Sequence, residues 1–325
     1  MNRIQYIDQL KGLTIVLVVM GHVAEKSMNI TTTPFNDFYS SFHMPLFMFL
    51  SGIFAYKNFI EWNTSEVISF LVKKILRILL PFLTIGGAYS AIFCSKFSDV
   101  YLGVSAGFWF LPALFYCMLW GVIAYWVINK IEIYNNLYGC LSFNLIFLII
   151  PMVLYQKGYF ENIPYVLHAI KMYPFFLIGT FFSKFGKIKD KIIHSNNLFT
   201  IAIIGYVISL IFQKDIPIKL NYTGVFAIII LINLFVNWNK CIPQKLSFIG
   251  KHSLEIYVFH WFLLPTLSTW GNWLLSENAN ANQNFIILFC ITLIISIPII
   301  LVSILFSKII QSSRFFKILC FGNLN

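Results

Sequence analysis

Long apolar runs separated by short polar connections make up almost the whole chain, and no stretch alternates apolar and polar positions residue by residue. Runs near 20 residues have the length of a membrane-crossing helix, and their continuity argues against the dyad pattern of an outer-membrane barrel. Ten runs fit: about 7–25, 42–57, 70–93, 108–128, 138–155, 164–183, 197–213, 221–238, 252–272 and 284–308. The predicted fold is therefore all-α, a polytopic membrane bundle of about ten transmembrane helices. The connections are short, so one domain over 1–325 with no appended soluble domain is expected. In Glu61–Ser69 (E-W-N-T-S-E-V-I-S), Asn63 and Glu66 have capping-box spacing and predict a helix start that runs toward Pro81.

Composition strengthens the membrane reading. The chain is 59% hydrophobic and 11% charged, with mean hydropathy +0.79; a soluble domain is about a quarter charged. A net charge of +11 would suit a nucleic-acid partner. However, 17 of the 23 Lys and Arg fall at the termini and in every second connection, against six on the other side. The positive-inside rule explains this bias, puts both termini in the cytoplasm and removes the need for nucleic acid. A cleavable signal peptide is disfavoured, because Asp8 and Lys11 sit close to the first apolar core and no small-residue cleavage site follows. Six cysteines (Cys94, Cys117, Cys140, Cys241, Cys290, Cys320) have neither paired nor metal-ligand spacing and read as small core residues, so no metal is expected.

Against this background a few polar side chains carry a cost. Lys11 and His22 are eleven residues apart in the first span, on one helical face and about 16 Å apart along the axis. A lysine near a helix end can snorkel, whereas a histidine inside a span either serves a neighbouring helix or lines a functional cavity. Glu25, three residues on, could orient the His22 ring but reads more simply as a solvated interfacial residue. His43, in F-H-M-P-L-F-M-F-L-S-G, opens the second span on the side where the first ends and could approach His22. In K-K-I-L-R, Lys73, Lys74 and Arg77 form a cationic face, either a cytoplasmic anchor or a phosphate site. Trp109, in G-F-W-F-L-P, belongs to an interfacial aromatic belt or a stacking platform for a sugar or lipid headgroup. Ser253, Tyr257 and His260 stand at i, i+4 and i+7, a polar stripe on one predicted helix that serves helix contacts or walls a cavity.

Taken in order, Y-I-D-Q-L-K-G with its later histidine, F-H-M-P-L-F-M-F-L-S-G, K-x-x-R, F-W-F-L-P and S-x-x-x-Y-x-x-H resemble the acyltransferase 3 family. These membrane acyltransferases O-acetylate surface polysaccharides and lipid-linked glycans, and the resemblance covers nearly the whole chain. It implies a ten-helix core, acetyl-CoA as co-substrate from the cytoplasm, and a location in the bacterial inner membrane. It carries the basic-x10-His motif onto Lys11 and His22. The paired basic motif falls on Lys74 and Arg77, beside Lys73, and the late motif on Ser253, Tyr257 and His260 as donor-side residues. The family often has arginine where this chain has Lys11 and Lys74, and lysine lacks the bidentate fork.

The expected activity is transfer of an acetyl group from acetyl-CoA to a hydroxyl of a cell-surface or polyprenyl-linked sugar. His22 would be the general base, with Lys11 on donor anionic groups or on developing negative charge. His43, Trp109 and Glu25 are the acceptor-side candidates. His22 would lie about 20 Å in from the cytoplasmic start of its helix, which favours an acceptor near the outer face. An acetyl-histidine intermediate is a variant of the same chemistry. Two rivals fit the composition equally: a transporter or flippase for a lipid-linked glycan, distinguished by independence of coenzyme A, and a scaffold protein of envelope synthesis, which would tolerate loss of His22.

Overall fold

The computed structural model describes residues 5–56, 64–103, 107–131, 136–160, 162–212, 222–276 and 285–322, and among them every regular element is helical. The chain divides into two compact units, residues Met1–Phe47 with Asp190–Ile309 and residues Met48–Lys189 with Ile310–Asn325.

The first unit is built on α1 (Gln5–His22), which widens into a π-turn over Val23–Ser27. A short helix, α2 (Pro34–Ser40), follows. Its cap is Thr33, whose hydroxyl accepts the Asn36 amide, and Pro34 occupies the first turn, where a missing N–H costs nothing. The first residues of α3 (His43–Tyr56) close this part of the unit.

Two glycines set the central contact of this unit. α12 (Gln244–Lys251) lies against α1 so closely that a Cβ on Gly250 would stand 1.8 Å from the Asp8 carbonyl oxygen. One on Gly12 would stand 2.0 Å from that of Leu246. Small residues let backbones touch, which is how membrane helices gain packing without a hydrophobic drive between them. After His252 the chain enters α13 (Ser253–Phe259), then a 3-10 turn over His260–Leu263 and α14 (Ser268–Ser276). The Leu267 amide donates to the Ser27 carbonyl at 2.8 Å, tying this segment to the π-turn. α10 (Asn196–Ile211) packs along α11 (Tyr222–Asn237) with the Phe226 ring over Gly205, and most of α15 (Phe285–Ser312) also belongs here.

In the second unit, α6 (Phe110–Lys130) and α8 (Val166–Lys184) pack through Gly121 against Phe176, and Tyr125 bonds Thr180 at 2.8 Å between them. The α3 residues of this unit meet α8 through Gly52 and Gly179, each against a facing carbonyl. α7 (Leu137–Gln156) starts on an Asn136 cap and keeps Ile149 and Ile150 outward. α4 (Thr64–Lys74) leads through a second π-turn, Ile75–Leu79, into α5 (Leu80–Phe93). α16 (Arg314–Phe321) completes the unit.

Six helices among the described residues are long and apolar enough to cross a membrane: Gln5–Ser27, Pro34–Ala55, Phe110–Lys130, Leu137–Gln156, Val166–Lys184 and Phe285–Ser312. They match six of the ten expected runs. The other four take different forms. The run at 197–213 is α10, bent by 73° from α9 (Gly186–His194), a pair that raises the count to seven if taken as one span. The run at 221–238 is the 16-residue α11. The run at 70–93 starts at Thr64, with Asn63 of the expected cap outside the described residues, and continues after the π-turn as α5, with Pro81 in its first turn. The run at 252–272 is not one helix. Pro265 drives Leu264 extended (ψ 116°) and the preceding turn tightens to 3-10, so Ser253 and Tyr257 share a helix and His260 lies just beyond it. Of the six cysteines, only Cys117 and Cys140 are buried; Cys241 and Cys290 are exposed, which corrects their reading as core residues.

Candidate functional site

His22 is the last residue of α1, where the π-turn begins, and π-turns recur at functional sites. Its ring stacks on that of His260, with centroids 5.3 Å apart and planes at 15°, and Trp261 lies tilted against it at 4.4 Å. The α1–α12 glycine contact holds α12, and through it α13 and the 3-10 turn, at this position. His260 is fully buried, and its Nδ1 donates to the Ile256 carbonyl at 2.9 Å. In the uncharged ring that bond leaves the lone pair on Nε2. Nε2 of His260 and Nδ1 of His22 are both buried with no hydrogen-bond partner among the described residues. Leaving a buried polar atom unmatched costs about 1–3 kcal/mol, and such atoms concentrate where a ligand or a proton is handled. Two adjacent imidazoles with unmatched nitrogens can accept a proton or a hydroxyl hydrogen.

A second cluster forms around Gly21 and Glu25, next to His22 in the chain. The Tyr39 ring lies on Gly21, where a Cβ would meet it at 2.4 Å, and its hydroxyl donates to Glu25 Oε1 at 2.5 Å. Asn36 Nδ2 donates to that hydroxyl at 3.1 Å and to the Ile30 carbonyl at 3.1 Å. His43 Nδ1 donates to the Tyr39 carbonyl at 2.6 Å, and the two rings lie 5.4 Å apart. Glu25 is thus half-buried and held by Tyr39, not a solvated interfacial residue. Among the described residues it does not orient His22 through Nδ1, which has no partner.

The remaining expected residues fall as follows. Lys11 is half-buried on α1, which runs unbroken to His22, so the two stay about 16 Å apart along the axis. Lys11 therefore cannot act on the same atom as His22. Tyr257 is buried with its ring 6.0 Å from that of His260, and Ser253 is half-buried at the start of α13. Lys73, Lys74, Arg77 and Trp109 belong to the second unit. Lys73 and Arg77 are exposed, while Lys74 is half-buried with its Nζ 5.0 Å over the Phe70 ring. The π-turn starts directly after Lys74 and carries Arg77. The half-buried Trp109 caps α6 and lies on the His168 ring at 4.7 Å and 33°.

Trp261, Tyr39, Asn36 and His168 escape a reading of the sequence. Tyr39 precedes His43 by four residues, a one-turn spacing that flags it; Trp261 adjoins His260 and reads as one more aromatic in an apolar run.

Comparison with known proteins decides the family. The family described as "Acyltransferase domain" (Acyl_transf_3) matches residues 4–304. The chain belongs to the acyltransferase 3 family. With six helices among the described residues able to cross a membrane, this family member is an integral membrane protein. It is 27% identical over 195 residues to the nodulation protein NolL of Sinorhizobium fredii (strain NBRC 101917 / NGR234). The match takes in 56% of this chain and 50% of NolL, so the chain spans about half the length of that curated relative. No solved structure matches.

Proposed function

We propose that the protein is a membrane O-acetyltransferase that moves an acetyl group from acetyl-CoA to a sugar hydroxyl, with His22 as general base. The observation that carries this reading is the stacked pair of His22 and His260, each with a buried, unmatched ring nitrogen, in a member of an acyltransferase family. The hydroxyl gives its proton to His22 as its oxygen attacks the thioester carbonyl. The tetrahedral intermediate collapses with cleavage of the C–S bond, and the imidazolium returns the proton to the thiolate, giving the O-acetyl sugar and free coenzyme A. Imidazole suits both transfers because its ordinary pKa lies near neutrality. His260 flanks the base and supports its ring by stacking.

Lys73, Lys74 and Arg77 bind the donor phosphates, and Lys11 holds a further anionic group of the donor, since its distance from His22 removes it from the reacting atoms. Glu25 and His43, fixed by Tyr39, accept or donate hydrogen bonds to the acceptor, and Trp109 offers a stacking face to a sugar ring. The acceptor is a cell-surface or polyprenyl-linked glycan in the bacterial inner membrane. The shorter helices complete ten crossings with both ends in the cytoplasm, supported by the distribution of Lys and Arg.

Calorimetry with acetyl-CoA on the protein in nanodiscs tests the donor assignment. Binding is expected to survive His22→Ala and to weaken in Lys74→Ala/Arg77→Ala. Transfer of label from acetyl-CoA to an envelope glycan fraction is expected to fall about 10²- to 10⁴-fold in His22→Ala, the usual worth of a general base. No binding to a folded wild type would sink the donor assignment; transfer that survives His22→Ala would remove the base.

A further inference from the structure

The π-turn that carries Arg77 has a structural problem of its own. The Leu80 amide donates to the Ile75 carbonyl, the π register, and the next residue, Pro81, has no N–H. The Leu76 carbonyl therefore receives neither the ordinary α-helical donor nor the π-helical one. Gly322 lies directly on that peptide: a Cβ built on it would stand 2.1 Å from the Leu76 carbonyl oxygen, 2.4 Å from its carbon and 3.0 Å from the Arg77 nitrogen. Only a Cα–H can face a carbonyl this closely, as a weak C–H···O contact.

Two features hold Gly322 there. It ends α16 in the left-handed conformation (φ 58°, ψ 25°), its amide donating to the Ile318 carbonyl, and Phe321 beside it is buried. A left-handed φ and a backbone contact both demand glycine, for independent reasons. Gly322 lies beyond the matched residues 4–304, whereas the Leu76–Arg77 peptide it contacts lies within them.

We propose that Gly322 is a positioning residue which clamps the Leu76–Arg77 peptide and so fixes the π-turn that presents Lys74 and Arg77 to the donor phosphates. The consequence for donor binding rests on the phosphate role given above to Lys74 and Arg77; the clamp itself does not. A side chain at 322 forces the turn and α16 apart.

The test uses the full chain in nanodiscs, as wild type, Gly322→Ala and Gly322→Val. Hydrogen exchange is followed at the amides of Arg77 to Leu80, and dissociation constants are measured for acetyl-CoA and for S-acetylpantetheine, which lacks the nucleotide phosphates. Exchange at these amides is expected to speed up, and acetyl-CoA binding to weaken, by about 5- to 30-fold in the variants, the fold-change equivalent of a left-handed non-glycine residue. Affinity for S-acetylpantetheine is expected to stay unchanged, a selectivity that a general loss of structure would not produce. Unchanged exchange in both variants overturns the clamp, and an equal loss of both ligands overturns its positioning role. If wild type binds the two ligands alike while exchange in the variants still accelerates, the phosphate role of Lys74 and Arg77 falls and the clamp is supported.

Discussion

Gly250→Ala puts a single methyl group where α1 and α12 touch. The added Cβ would stand 1.8 Å from the Asp8 oxygen, while an ordinary contact begins at 3.4 Å, so relief takes about 1.6 Å (3.4 minus 1.8) along the contact. The obstructing atoms are backbone, so no side chain can swing aside. Overpacking of this kind costs about 1–3 kcal/mol, offset by about 0.5–1 kcal/mol for replacing glycine with alanine in a helix. A net loss of about 0–2.5 kcal/mol is expected, read as a lower unfolding midpoint in one fixed detergent. Gly186→Ala is the internal control, because nothing lies within 4 Å of its Cβ position, and it should be neutral or slightly stabilising. The site should respond more than the fold. α12 leads into the segment that carries His260, and misplacing a catalytic group by about 1 Å costs on the order of 10² in rate. A Gly250→Ala protein with wild-type stability and wild-type transfer, beside a well-behaved control, would refute the backbone contact as the determinant of the histidine pair.

Other perturbations reach different parts of the molecule. Tyr39→Phe keeps the ring on Gly21 and deletes the bond to Glu25, so it should cost about 1.5–3 kcal/mol, the worth of a hydrogen bond to a charged group. Equilibrium unfolding checks this, and a loss within experimental error would mean that the carboxylate does not depend on the phenol. Trp109→Ala and His168→Ala should be non-additive by about 0.5–1.5 kcal/mol in a double-mutant cycle if their rings stack; additivity would remove the pair. Cys241 is exposed in a connection that the proposed orientation assigns to the cytoplasm, so a membrane-impermeant maleimide should label it in inverted vesicles and not in intact cells. The opposite pattern would reverse the orientation drawn from the basic residues.

The parts of this protein that can be read from sequence are those that carry a visible cost. Six apolar runs of spanning length are visible because hydropathy is a local sum, and His22 stands out because an ionisable group inside such a run needs a reason. The same sum passes over Pro265, so the run at 252–272 reads as one helix although the chain leaves it in a 3-10 turn and turns extended at Leu264, before the proline. The two π-turns are equally hidden, since widening a turn by one residue leaves an apolar run apolar. Glu25 illustrates a third limit: its spacing from His22 suggests a direct partner, whereas its bond goes to Tyr39 on another helix. The pairing of His22 with His260 depends on residues that have no side chain to notice. Gly12 and Gly250 bring two backbones together, and the histidines meet as a result. Costly polar residues announce where chemistry is located, but which of them face each other is decided by glycines and helix breaks. A search for further partners of a membrane histidine should therefore begin at the small residues of its own helix and follow the helices they admit.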